Sequence, residues 1–66
     1  MEEVKVLQTI RAKFRDHLND YADSLAQGGA KDFSDYRYIC GVIYGLALAE
    51  REVLDLKSAL EHEEDE

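Results

Sequence analysis

The sequence predicts an all-α fold, an antiparallel two-helix hairpin that associates into a four-helix bundle or a higher oligomer. Three observations carry that prediction. Proline is absent, while Ala, Leu, Glu, Lys and Arg, all strong helix formers, are plentiful. Two long runs place apolar residues at alternating three- and four-residue steps, the spacing of one helix face. A glycine pair, Gly28 and Gly29, lies between the runs.

The first run is Val4, Leu7, Arg11, Phe14, Leu18, Tyr21 and Leu25. Lys5, Lys13, Arg15, Asp16, Asp20 and Asp23 fall between them as a solvated face. The spacing therefore predicts an amphipathic helix over about residues 3–27. The loop, 28–33, needs a residue that closes the helix in the left-handed conformation, and Gly28 or Gly29 supplies it without a Cβ penalty. Ser34 is the expected cap of the second helix, with Asp35 favoured by the dipole in its first turn. Phe33 and Tyr38 then have the spacing of a hydrophobic staple; Asp32 is the alternative cap.

The second run is Ile39, Val42, Leu46, Ala49, Val53, Leu56 and Leu60, all apolar, and predicts a helix over about 34–61. Residues 1–61 make one hairpin domain. Residues 62–66 form an acidic tail expected to fray, because its carboxylates sit at the negative end of the helix dipole.

Within the second run, "YRYICGVIYGLALAE" (residues 36–50) holds eleven apolar residues. It is shorter than the ~20 apolar residues of a membrane helix, and Glu50, Arg51 and Glu52 close it at once. A second stripe through Tyr36, Ile43, Ala47 and Leu54 widens the apolar surface beyond what one partner helix covers. An interface is therefore expected on Tyr36, Ile39, Gly41, Val42 and Ile43, and on through Tyr44, Gly45, Leu46, Ala49 and Val53. Gly41 and Gly45 each disfavour a helix interior by about 1 kcal/mol relative to alanine. Either another backbone or a bulky side chain approaches them closely, or they are merely tolerated.

Size leads to the same expectation. A chain of 66 residues buries only about 60% of its unfolded surface and needs a staple. Its one cysteine, Cys40, forms no intrachain disulfide, and His17 and His62 lack zinc spacing. Oligomerisation remains, most simply as a dimer.

The formal charge is −7, which disfavours nucleic acid and anionic membrane as partners. Five of the acids lie in the last six residues, "EHEEDE". That tail is read as a solubilising end, with docking on a basic partner surface as the alternative. The start, "MEEVKV", has no basic segment followed by an apolar core, so no signal peptide is expected. With a lone thiol this suggests a cytoplasmic, reducing setting.

No catalytic, cofactor or metal residues are predicted. Asp16, Asp20 and Asp23 share a helix face but read as a solvated surface. His17 is expected to pack half-buried beside the seam, and Cys40 to be a buried, inert thiol. Tyr21, Tyr36 and Tyr38 are expected to cluster at the loop end, with Tyr44 pointing away from the seam. Arg11 either pairs with Glu52, Asp55 or an acid of a neighbouring subunit, or lays its stem along the seam with its head in water.

The stretch "KDFSDYRYICGVIYGLALAEREVLDL", residues 31–56, resembles the second half of small helical proteins of tailed bacteriophages. The matching residues are Asp35, Tyr36, Ile39, Gly41, Ile43, Gly45 and Leu46, with Ile39 standing where a second aromatic is expected. The resemblance implies a non-catalytic virion or assembly component, in the host cytoplasm or the virion, whose partners are its own copies or another phage or host protein. The alternative is a small acidic inhibitor of a host defence or nucleic-acid enzyme.

Overall fold

The computed structural model describes residues 1–65 and contains two helices, α1 (Glu2–Ala26) and α2 (Phe33–Asp65), packed side by side as a hairpin. The first turn of α1 carries Glu2 and Glu3, whose charges suit the positive end of its dipole. Its far end closes in a Schellman motif. Gly28 N–H donates to Leu25 O at 3.0 Å and Gly29 N–H to Ser24 O at 2.8 Å, with Gly28 left-handed at φ +79°. Both glycines are needed, since a Cβ at Gly29 would stand 2.8 Å from Ser24 O.

Helix α2 starts two residues earlier than a Ser34 cap would allow. Asp32, not Ser34, is the cap: its Oδ1 accepts from Asp35 N–H at 2.8 Å, while Asp35 Oδ2 accepts from Lys31 N–H at 3.0 Å. This reciprocal pair satisfies two amide donors and leaves Ser34 inside the first turn. Phe33 is consequently a helical residue, and the Phe33–Tyr38 staple does not form. The two side chains are 69% and 68% exposed. An Asp32→Ala variant should lose about 1 kcal/mol of stability, read as a lower urea midpoint in circular dichroism, with Asp32→Asn losing less.

Helix α2 runs to Asp65, and Glu66 lies outside the described residues. Lys57 Nζ meets Glu61 Oε1 at 2.9 Å one turn ahead of the acids. Helix α2 has 33 residues against 25 in α1, so its last turns run past the start of its partner.

The seam between the helices starts as predicted and then slips by one residue in each. In α1 the half-buried positions run Val4, Leu7, Arg11, Phe14, Leu18, Ala22 and Leu25, so Ala22 replaces the expected Tyr21. In α2 they pass from Val53 to Lys57 and Leu60, leaving Leu56 exposed. A straight helix of 3.6 residues per turn drifts about 20° per heptad, so a four-residue step must at intervals replace a three.

What the seam buries is small. Among the described residues Ile39, 9% exposed, is the one buried apolar side chain, and Glu50, 6% exposed, the one buried charge. The chain measures 52 × 14 × 12 Å, with a radius of gyration of 15.2 Å. A compact chain of this length would have about 11 Å.

Candidate interaction surface

At the centre of the seam, Glu50 ties the two helices together. Arg15 Nε donates to Glu50 Oε2 at 2.9 Å, a second Arg15 nitrogen donates to Oε1, and Arg11 approaches Oε2 at 3.7 Å. Hydrogen bonding from Arg15 is the main cause holding the Glu50 carboxyl below its ordinary range; burial opposes it, and the charges of Arg15 and Arg11 assist. Arg11 thus finds an acid, as one reading of the seam anticipated, but it is Glu50 rather than Glu52 or Asp55. A bidentate arginine on a buried carboxylate fixes both the register and the relative height of the helices.

The ten residues expected at an interface divide in two. Ile39, Val42, Ile43, Leu46, Ala49 and Val53 are buried or half-buried along the seam facing α1. Tyr36, Gly41, Tyr44 and Gly45 are exposed, away from it. A Cβ built at Gly41 or Gly45 meets nothing within 4 Å, so no contact inside the hairpin explains either glycine. Near the loop, Phe33 stacks on Tyr36 with ring centroids 6.2 Å apart, and the Arg37 guanidinium lies 5.9 Å from the Phe33 ring centroid. These residues, with Cys40 and Gly41, line an open hollow of about 420 Å³. Cys40, one turn along, raises the Tyr36 phenol above its ordinary value, through side-chain hydrogen bonding first and then the charge of its thiolate.

The expected tyrosine cluster does not form. Tyr36 and Tyr38 lie on opposite flanks of α2, so both cannot meet Tyr21, and all three are exposed. His17 is likewise exposed rather than packed, beside Asp20, Tyr21 and Ser24. Cys40 is half-buried. Among the described residues no three His, Cys, Asp or Glu side chains gather as a metal site, and no helix is long and apolar enough to cross a membrane.

Several exposed apolar side chains were not anticipated as interface: Val6, Ile10, Leu48 and Leu56. Val6 and Leu56, with Leu7, Leu60, Glu2 and Glu3, line an apolar hollow of about 450 Å³ at the open end of the hairpin. Val6, Ile10 and Leu48 lie one position off the seams the spacing predicts, whereas Leu56 was placed on the α2 seam and turns out of it where Lys57 takes its place. No protein-family model, curated protein or solved structure matches the chain.

Proposed function

We propose that this chain acts by contact, as a non-catalytic structural or assembly component of phage type whose hairpins associate through their helices. The observation that carries the reading is the missing core. A hairpin with one buried apolar side chain exposes Tyr38, Tyr44, Leu48 and Leu56, each more than half open to solvent. Its accessible surface is 5023 Å². A compact chain of 7.5 kDa exposes about 4,200 Å². The surplus of roughly 800 Å² matches what one partner of a standard protein–protein complex buries. The resemblance of residues 31–56 to small phage proteins supplies the setting, a virion or the host cytoplasm.

Light scattering across a dilution series tests this. A dimer or larger species, with helicity that falls on dilution, is the expected result; a well-folded monomer overturns it. Presence in purified virions would support the phage-type role.

One observation favours a second reading, an acidic inhibitor docked on a basic enzyme surface. Glu2, Glu3, Glu61 and Glu63 are all exposed at the open end of the hairpin, where the two ends of a chain with net charge −7 meet. Deleting residues 61–66 separates the two. Assembly should survive the deletion, whereas an inhibitor would lose most of its affinity for its enzyme, with a salt dependence to match.

A further inference from the structure

The hairpin has two broad faces, one on each side of the α1–α2 seam, and they differ. At about 100° per residue, Val6, Ile10 and Tyr21 fall on one flank of the α1 seam. Tyr38, Gly45 and Leu56 fall on the corresponding flank of α2. Val6 and Leu56 line the same hollow, which places the two flanks on a common face. Successive members of each set are 4, 7 or 11 residues apart, so each forms a further stripe parallel to the main seam. Glu3, Lys13, His17 and Ser24 of α1 and Glu52 of α2 are the polar residues interleaved with them. The opposite face is apolar mainly on α2, at Phe33, Tyr36, Cys40, Ile43, Ala47 and Leu54, with Tyr44 on the back of that helix; on that side α1 presents Gln8, Arg15, Asn19 and Asp23.

We infer that a second copy of this hairpin seats on the two-helix face, over Val6, Ile10 and Tyr21 of α1 and Tyr38, Gly45 and Leu56 of α2. The inference rests on the self-association reading and names its surface and its occupant. A single partner helix would cover one groove and leave one of the two stripes wet. Two helices of matching length are required, and another hairpin supplies them. A two-fold axis needs only one self-complementary patch. The footprint is sufficient: the shared face runs the length of the 25-residue α1, about 37 Å, by 14 Å, roughly 520 Å² per copy or about 1,000 Å² for the pair, the lower bound of a specific interface. The open space over Gly45 would then admit a side chain of the second copy. This face draws on α1 as much as α2, so the interface is not the property of α2 alone.

Thiol protection tests the assignment without depending on a disruptive charge. In a chain carrying Cys40→Ser, single variants Ile10→Cys, Leu56→Cys and Tyr44→Cys are alkylated under native conditions, with light scattering on each sample. In the isolated hairpin all three positions are exposed. Dimeric samples in which Ile10→Cys and Leu56→Cys react at least tenfold more slowly than the unfolded chain, while Tyr44→Cys reacts freely, are the expected result. Dimers with Tyr44→Cys protected and the other two reactive would overturn the face assignment and leave self-association standing. Protection at all three positions would overturn the closed two-copy bundle in favour of a larger assembly. Monomeric samples reacting freely at all three would overturn the underlying reading as well.

Discussion

Replacing Ile39 by aspartate is expected to abolish the helical circular dichroism of the chain at neutral pH and room temperature. Ile39 is the deepest apolar side chain among the described residues. A carboxylate there would replace a buried apolar side chain, a change that costs several kcal/mol. Stability at roughly 0.05–0.15 kcal/mol per residue comes to about 3–10 kcal/mol for this chain, so little or nothing would remain. Ile39→Val removes one methylene and should lose only about 1 kcal/mol. A urea titration of both variants checks the pair. A native-like midpoint for the aspartate would mean that the seam is not what holds the hairpin together.

The second large effect is expected at Glu50. Glu50→Ala leaves Arg11 and Arg15, one turn apart on α1, without the acid they meet across the seam, and should lower the thermal midpoint by roughly 10 °C. Glu50→Gln should fall between that variant and the parent. The pH dependence follows from the depressed carboxyl pKa. Unfolding returns Glu50 to about 4.3, so the unfolded chain binds the proton more readily than the folded one. The stabilisation is therefore fully present above about pH 4.3 and is lost as pH falls through the lower, folded value. Thermal melts between neutral and strongly acidic pH should show this acid limb in the parent and its absence in Glu50→Gln. Identical acid limbs would mean that some other carboxylate carries the linkage.

The helical pairing was legible in the sequence because it depends on periodicity, and periodicity is local. Val4 to Leu18 and Ile39 to Val53 keep step with a helix, and both runs pack as their spacing says. The slip at Tyr21 and Leu56 was not legible from a strict three-then-four count, since a small angular drift accumulates until one step must change. The choice of Asp32 over Ser34 as cap turned on a reciprocal bond between Asp35 and the Lys31 amide, which depends on loop geometry. Glu50 was passed over for a different reason. It lies one residue from the apolar position Ala49, on the inner side of the second stripe, and only the proximity of Arg15 across the hairpin reveals its role. The candidate interface was half legible. The apolar excess in residues 36–50 showed that a surface is left over, but dividing seam from outer face needs the rotation of α2 about its axis.

The elongated shape has a hydrodynamic consequence. A radius of gyration of 15.2 Å is that of a compact globule of about 160 residues, more than twice the length of this chain. A single hairpin would therefore elute from a sizing column ahead of its true mass and tumble anisotropically, fast about its long axis and slowly end over end. Pairing two hairpins side by side roughly doubles the mass while thickening the rod far more than lengthening it. On dimerisation the frictional ratio should fall even as the mass rises, so sedimentation velocity separates the two states where elution volume alone would confuse them.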